Sequence, residues 1–233
     1  MAAQNLQSKK QSPLVKAYLL TYNGIETFGW ALILFRLLSY YIFSNSEAAS
    51  LYQNLKWPLI IFQNAAVLEI LHAAVRIVPS NPIVTLQQVF SRVMLVCGIF
   101  LPTLAGQTSI GLPLAVLAWS ITEIIRYGYY TLNLVHLVPH FLIWLRYTAF
   151  IILYPIGVTG ELLCLYAGQQ EVSETGLWTI SLPNFLNFSF QYRHFILMVM
   201  SLYIPLFPQL YMHMFTQRKK VLGGGTKKEE KKQ

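Results

Sequence analysis

The chain has 233 residues, of which 55% are hydrophobic and only 11% are charged, whereas a soluble domain carries about 25% charged residues. Its net charge of +8 comes mainly from lysines and arginines near the two ends, which leaves no folded basic domain to bind nucleic acid. This composition excludes an ordinary soluble protein and indicates an all-α, polytopic membrane protein.

Six apolar segments approach or exceed the ~20 residues that cross a bilayer, so we predict a six-transmembrane-helix bundle. The predicted spans are 18–41, 58–78, 82–104, 112–134, 141–166 and 195–215. The predicted domains are a cytosolic N-terminal segment (1–16), a six-span membrane domain (17–217) and a basic cytosolic tail (218–233). An even number of spans places both basic termini on one side, which the positive-inside rule assigns to the cytosol. The loops 44–57, 105–111 and 167–194 would then face the lumen.

Two of the predicted spans carry charged residues at helical spacing. In LEILHAAVR, Glu69, His72 and Arg76 are spaced i, i+3 and i+7, which predicts one polar helix face. In WSITEIIRYGYY, Glu123 and Arg126 are three residues apart and are expected to form a local ion pair. Such a pair makes both charges tolerable in the bundle. It does not exclude a binding site, because a paired arginine can also hold a phosphate or a carbonyl group.

The stretch YPIGVTGE lies within the fifth predicted span. Seven residues of α-helix turn through about 700°, so Tyr154 and Glu161 are predicted to share one face, with a rise of ~10 Å between them. Pro155 bends a helix, and Gly157 and Gly160 let a neighbouring helix or a ligand approach the backbone. From the spacing alone, two interpretations stay open: a polar stripe that lines a cavity, or a kinked packing helix.

The other chemically active residues narrow the possible functions. The chain has no aspartate, which excludes Asp-bearing triads and Asp-based phosphoryl-transfer sites. Of the glutamates, only Glu69, Glu123 and Glu161 are predicted to lie well inside apolar segments. Cys97 and Cys164 both lie in apolar runs, and are predicted to be buried thiols rather than a disulfide or a metal site.

Three arginines, Arg92, Arg126 and Arg146, come from three predicted spans and fall at mid-depth or in the cytosolic half. The positive-inside bias and snorkelling explain arginines near a membrane surface. They explain Arg92 and Arg126 poorly, because these residues lie deeper. A buried arginine usually faces the bundle interior, a partner or a water-filled cavity. A structural role and a functional role therefore both stay open for the three.

Four segments of the chain occur together, in order and at compatible spacing, in one known family: LEILHAAVRIVPS, WSITEIIRYGYY, LRYTAFIILYPIGVTGELLCLY and LPNFLNFSF. Over residues 18–220 the chain resembles the very-long-chain 3-hydroxyacyl-CoA dehydratases, a family first labelled protein-tyrosine-phosphatase-like. The resemblance implies a six-span enzyme of the endoplasmic reticulum membrane with both termini cytosolic. Such an enzyme dehydrates (3R)-3-hydroxyacyl-CoA to trans-2-enoyl-CoA during very-long-chain fatty-acid elongation. No metal or redox cofactor is implied, because dehydration changes no oxidation state.

The resemblance also implies residue roles. The catalytic pair of the family maps onto Tyr154 and Glu161. Dehydration needs a base for the C2 proton and an acid for the departing C3 hydroxyl. We expect Glu161 to be the base and Tyr154 the acid or polarising donor, and the reverse assignment stays open. The polar helix positions of the family, expected to bind or position the CoA substrate, map onto Arg92, Glu123, Arg126, Arg146 and Gly157.

The partners implied by the resemblance are a long-chain 3-hydroxyacyl-CoA substrate, membrane lipids and the other elongation-cycle enzymes, namely the condensing enzyme, the ketoacyl-CoA reductase and the enoyl-CoA reductase. The alternative is a catalytically inactive membrane scaffold, or a lipid carrier, associated with those enzymes. Phosphatase activity is not expected. In the family's Cys-x-x-Gly-x-x-Pro element, Ala73 and Arg76 replace the Cys and the Gly, so the thiolate nucleophile is missing.

Overall fold

The computed structural model describes residues 12–43, 50–185 and 187–223. Within these ranges the chain forms α-helices and one π-helical segment, and its β structure is a single bridge between Ile180 and Phe190. The helices are α1 (Pro13–Phe43), α2 (Leu51–Ala65), α3 (Leu68–Ala74), α4 (Pro82–Val93) with its π-helical continuation (Met94–Phe100), α5 (Leu104–Thr108), α6 (Gly111–Leu134), α7 (His140–Arg146), α8 (Phe150–Thr175) and α9 (Tyr192–Leu222). Most of the predicted terminal segments, 1–16 and 218–233, lies outside the described residues.

Five helical stretches are long and apolar enough to cross a membrane: Pro13–Phe43, Leu51–Ala74, Pro82–Phe100, Phe150–Thr175 and Tyr192–Leu222. The chain is therefore an all-helical, multi-pass membrane protein, as the composition predicts. The fourth predicted span, 112–134, forms the 24-residue helix α6 but is not among the five. Charged and hydroxyl-bearing residues, including Glu123 and Arg126, lower the hydropathy of this helix.

The boundaries of two predicted spans are wrong. The second stretch begins at Leu51 rather than at residue 58, and a turn at residues 66–67 separates α2 from α3. The fifth predicted span, 141–166, is not one helix, because α7 ends at Arg146 and a turn at 147–149 precedes α8. Helix α8 then continues to Thr175, where Gly176 ends it in the left-handed conformation with φ of 67°.

Helix α6 lies at the centre of the bundle and packs most extensively against α1 and α8. Against α8 the backbones approach closely, since a Cβ atom added to Gly160 would lie 2.5 Å from the backbone nitrogen of Ala115. Against α1, the ring of Tyr22 lies 6.0 Å from that of Tyr127. This central position brings the polar residues of α6 between the two neighbouring helices.

The π-helical segment directly follows the turn of α4 that carries Arg92. Such segments are rare and occur mostly as single insertions near functional sites. The hydroxyl of Tyr192, at the start of α9, donates a hydrogen bond of 2.8 Å to the carbonyl oxygen of Gly98 inside the segment. A residue of α9 thus satisfies a backbone carbonyl group of the π-helical segment.

Candidate active site

Glu161 is buried at the middle of α8, and both of its carboxylate oxygens accept hydrogen bonds from other helices. Trp119 on α6 donates its indole N–H to Oε1 at 2.7 Å. Tyr203 on α9 donates its hydroxyl to Oε2 at 2.5 Å. Donors of this kind favour the charged form of a carboxyl group over its neutral form. Glu161, which was expected well inside an apolar segment, is buried. The two donors were not predicted from the sequence.

Tyr154 lies on the same helix as Glu161, and α8 continues without a break through Pro155. Its ring packs edge-on against Phe150, with the centroids 5.9 Å apart. The residue is partly exposed, and among the described residues its hydroxyl has no hydrogen-bond partner. This hydroxyl is therefore available to a ligand. The charged groups that act on it electrostatically are those of Arg92, Glu123, Arg126 and Arg146.

Four charged side chains from three helices form one network, which we call the ionic cluster: Glu69, Arg92, Glu123 and Arg126. Arg126 donates to both oxygens of Glu69, at 2.5 and 2.8 Å, and its Nε donates to Glu123 at 2.7 Å. Arg92 donates to the other oxygen of Glu123. The local pair between Glu123 and Arg126 is confirmed, and tertiary packing adds the other two residues.

The ionic cluster is electrically balanced, with two carboxylates and two guanidinium groups. The Glu123 side chain is only 1% exposed, so both of its partners are needed to offset the cost of burying its charge. Tyr127 donates its hydroxyl to Glu69, and its ring lies 4.4 Å from the guanidinium carbon of Arg126. All three nitrogens of the Arg126 guanidinium donate hydrogen bonds to Glu69 or Glu123. Arg126 is therefore suited to holding these two carboxylates in place.

Arg92 joins the ionic cluster to the buried carboxylate of Glu161. Its guanidinium carbon lies 5.8 Å from the centre of the Trp119 ring, within the range of a cation–π contact. The N–H of the same indole donates to Glu161. The Arg92 side chain is 19% exposed, although it lies well inside its helical stretch. Arg92 therefore combines a fixed position beside Glu123 with access to open space.

Arg146 does not lie where the sequence predicts it. It was expected on one helix with Tyr154, within the predicted span 141–166, but it ends α7 and is separated from α8 by the turn at 147–149. Its guanidinium carbon lies 4.5 Å from the ring centre of Tyr129 and 4.6 Å from that of Tyr130, whose hydroxyl accepts a hydrogen bond of 3.1 Å. Within the described ranges its Nε atom has no hydrogen-bond partner. Arg146 thus sits among aromatic rings, outside the ionic cluster.

The predicted polar face of Glu69, His72 and Arg76 is only partly formed. Helix α3 ends at Ala74, and Arg76 follows it with a positive φ of 58°. His72 points to α1, where its Nε2 lies 2.8 Å from the hydroxyl of Tyr18. Glu69 alone joins the ionic cluster, because a helix of 7 residues is too short to carry the face as far as Arg76.

A buried glutamate was also missed. Glu26 on α1 is 1% exposed. It was not counted among the glutamates inside apolar segments. It lies 8 residues into the first predicted span, 18–41, so its position alone placed it within reach of the bundle interior.

The two glycines of YPIGVTGE have different surroundings, which gives a testable contrast. A Cβ atom at Gly160 would lie 2.5 Å from the backbone nitrogen of Ala115, whereas one at Gly157 would lie 3.4 Å from the Cβ of Ala118. We expect Gly160→Ala to destabilise the protein by about 1–3 kcal/mol through overpacking, and Gly157→Ala to leave thermal unfolding in detergent almost unchanged. Equal unfolding temperatures for the two variants would contradict the close contact between α6 and α8.

A family model described as "Protein tyrosine phosphatase-like protein, PTPLA" matches residues 63–224, which include the ionic cluster, Tyr154 and Glu161. The chain belongs to this family. Ala73, which stands where the resemblance expects the cysteine of the phosphatase-like element, is buried on α3.

Curated PTPLA relatives share much of the chain. It is 48% identical over 216 residues to the very-long-chain (3R)-3-hydroxyacyl-CoA dehydratase 2 of Mus musculus. The matched region covers 93% of this chain and 85% of the relative. It is 43% identical to the dehydratase hpo-8 of Caenorhabditis elegans, with 93% and 99% covered. It is 35% identical to the dehydratase PASTICCINO 2 of Arabidopsis thaliana, with 89% and 93% covered. No solved structure matches the chain.

Proposed function

We propose that this protein is a carbon–oxygen lyase that dehydrates (3R)-3-hydroxyacyl-CoA to trans-2-enoyl-CoA in very-long-chain fatty-acid elongation. The names of the relatives, at identities of up to 48%, support this reaction. The observation that carries the proposal is the arrangement on α8. There the Glu161 carboxylate is buried with two donors, and the Tyr154 hydroxyl, on the same helix, has no partner in the described part of the chain.

The proposed reaction assigns one proton to each residue of this pair. The Glu161 carboxylate removes a proton from C2 of the substrate, the C2–C3 double bond forms and the C3–O bond breaks. Tyr154 gives its proton to the departing hydroxyl, which leaves as water. The proton on Glu161 then returns to Tyr154, so that the enzyme is restored and the net products are enoyl-CoA and water. The bonds from Trp119 and Tyr203 favour a carboxylate at Glu161 and so favour this assignment over the reverse one.

The distance between the two groups constrains the substrate. Seven residues separate Tyr154 and Glu161 along α8, which corresponds to a rise of ~10 Å between their Cα atoms. Both side chains tilt toward the N-terminus of the helix, so this offset largely persists at the functional groups. We propose that the reacting carbons lie between the two side chains, next to Gly157. Gly157 is buried there, and a Cβ atom added to it would lie 3.4 Å from the Cβ of Ala118 on α6, so a side chain at this position would narrow the space left for the substrate.

The arginines are proposed to position the substrate in different ways. Arg126 and Glu123 hold the ionic cluster together, while Arg92 and Arg146 have donors that are free to meet the thioester or the phosphates of CoA. Arg offers a planar fork of donors that suits such oxygens. The CoA end is therefore proposed to lie on the cytosolic side, with the acyl chain running into the apolar half of the bundle.

We expect Arg92→Ala and Arg146→Ala to raise KM more than they lower kcat, because each removes binding that the ground state and the transition state share. Loss of a charged hydrogen bond corresponds to about 1.5–3 kcal/mol, or a rise in KM of roughly 10- to 100-fold. Steady-state kinetics in detergent, together with thermal unfolding, would measure both effects. Unchanged KM with a lower unfolding temperature in both variants would mean that these arginines are structural.

The proposed membrane topology has six spans, with α6 as the fourth, in the membrane of the endoplasmic reticulum. Helix α6 has 24 residues, which correspond to ~36 Å and suffice to cross a hydrocarbon core. Its charged residues, Glu123 and Arg126, face other charged groups inside the bundle rather than lipid. With α6 counted, the number of spans is even and both termini are cytosolic.

This topology is tested by tagging each end of the chain and treating sealed microsomes with protease. We expect both tags to be digested without detergent, and the loop within 167–194 to be protected. If α6 does not cross, five spans put the two ends on opposite sides. A protected C-terminal tag beside a digested N-terminal tag would therefore overturn the six-span topology.

Purified protein with a long-chain (3R)-3-hydroxyacyl-CoA separates the proposed enzyme from a scaffold or lipid carrier. We expect mass spectrometry to detect enoyl-CoA with wild-type protein and not with Glu161→Ala. Binding of the substrate without any product would favour the carrier instead. The elongation-cycle enzymes and membrane lipids remain proposed partners, and co-purification from microsomes would test the former.

A further inference from the structure

Four buried polar atoms on α1, α2 and α6 have no hydrogen-bond partner in the described part of the chain. They are Oε2 of Glu26, Nε1 of Trp30, Oε1 of Gln63 and Oγ of Ser120. All four residues are at most 1% exposed. An unpaired polar group buried away from water costs about 1–3 kcal/mol, so four of them in one interface need an explanation.

The packing of the helices places these atoms at a common level. Helices α1 and α2 run antiparallel, because Tyr22 donates to the carbonyl of Ala65, and Gly29 faces the ring of Phe62. Glu26 lies midway between the two contacts on α1, and Gln63 lies between them on α2, so this register sets the two residues at a similar level.

The contact between α1 and α6 places the other residues at the same level. Tyr22 lies against Tyr127 there, and Glu123 is among the charged groups that act on Glu26. Trp30 lies one turn after Glu26, and Ser120 lies one turn before Glu123 on the same side of α6. This register indicates that the four residues lie at a similar level in the interior of the bundle.

The charge balance of this region leaves no cation for Glu26. Its charged neighbours are Glu123, Glu69 and Arg126, and the side chain of Trp30 lies close enough to interact with its carboxyl group. The ionic cluster already pairs two carboxylates with two guanidinium groups, and among the described residues Glu26 has no ion-pair partner. An ionised Glu26 would add an unbalanced negative charge beside two others, inside a bundle surrounded by lipid. A neutral carboxyl group avoids this cost and gains an O–H donor.

We propose that Glu26 keeps its proton and, together with Gln63 and Ser120, binds ordered water between α1, α2 and α6. The groups supply the mixture of donors and acceptors that a buried water requires, since such a water typically makes about three hydrogen bonds. The water satisfies the Gln63 and Ser120 oxygens and the second oxygen of Glu26. The site supports the ionic cluster from the side of α1, and it does not depend on the dehydratase reaction.

Infrared spectroscopy tests the protonation of Glu26 without reference to activity. In a Glu161→Gln background, so that Glu161 cannot contribute, we expect a carbonyl band of a protonated carboxyl at neutral pH. The band should disappear in Glu26→Gln and shift in Glu26→Asp. Glu174→Gln, an exposed change on α8, is the matched control and should leave the band in place. A band that Glu26→Gln and Glu26→Asp both leave unaltered, or a wild-type spectrum without one, would overturn the proposal.

Stability and density test the water. Glu26→Gln keeps a neutral side chain of the same shape, so its unfolding temperature should stay close to that of the wild type, whereas Glu26→Leu should lower it by leaving the water and Gln63 unsatisfied. An experimental map that resolves ordered water should show density between Glu26, Gln63 and Ser120. A clearly empty region in such a map would overturn the water site.

Discussion

We expect Glu161→Gln to lower kcat by ~10²–10⁴-fold, while the protein still folds and binds substrate. The amide keeps an acceptor oxygen for the indole N–H of Trp119, which donates to this position at 2.7 Å. It cannot accept a proton from C2 of the substrate, because an amide is not a base near neutral pH. The measurement is single-turnover formation of enoyl-CoA by the purified variant, with thermal unfolding in parallel.

The matched control for this variant is Glu174→Gln, which makes the same chemical change at an exposed position on the same helix. It should retain wild-type turnover. Turnover of Glu161→Gln within a few-fold of the wild type would remove Glu161 from the mechanism. A comparable loss in the control would show that the assay reports damage to α8 rather than chemistry.

Arg126→Ala has the largest expected effect on stability. The variant leaves Glu69 without its bidentate partner and leaves Glu123, 1% exposed, with Arg92 alone. Removing one partner from a buried ionic network typically costs about 3–5 kcal/mol, because the remaining charge stays buried without compensation. We expect a large fall in the unfolding temperature in detergent. The control is Arg193→Ala, at an exposed position on α9, which should change the unfolding temperature little.

A double variant separates charge balance from simple loss of packing. Removing Glu69 together with Arg126 leaves one carboxylate and one guanidinium group, so the rest of the cluster is again neutral. We expect Glu69→Gln with Arg126→Ala to recover part of the lost stability. A double variant that is less stable than Arg126→Ala by the full cost of the second change would contradict the balanced network.

The sequence predicts what depends on local spacing. Residues three apart on a helix face each other, so the pair between Glu123 and Arg126 follows from their positions. The apolar runs likewise predict long helices, and Tyr154 and Glu161 lie on one continuous helix as expected. These features need no knowledge of which helices are neighbours.

The remaining contacts of the site depend on tertiary packing. Trp119 and Tyr203 reach Glu161 from two other helices, and both are ordinary aromatic residues in apolar runs. The bond from Arg92 to Glu123 and the bidentate bond from Arg126 to Glu69 join residues far apart in sequence. No spacing rule indicates such pairs. The only signal was that a charge within a span requires a partner.

The turn between α7 and α8 was missed for a different reason. The segment 141–166 is apolar apart from a few residues such as Arg146 and Glu161. Hydropathy cannot locate the break at 147–149, because no glycine or proline marks it. Tyr147 leaves the helical region with φ of −97° and ψ of 9°, although its sequence neighbours favour a helix. This break moves Arg146 to a separate helix, where it contacts tyrosine rings instead of continuing the face of Tyr154.

The most direct test of the central claim follows the C2 hydrogen of the substrate. Purified wild-type protein is incubated with long-chain (3R)-3-hydroxyacyl-CoA that carries two deuterium atoms at C2, and the product is weighed by mass spectrometry. We predict a product that has lost the C3 hydroxyl and one C2 deuterium, together the elements of HDO, and that keeps the other deuterium. We predict almost none of it from Glu161→Gln or Tyr154→Phe. Wild-type protein that forms no such product, or variants that form it at the wild-type rate, would contradict dehydration by the Tyr154 and Glu161 pair.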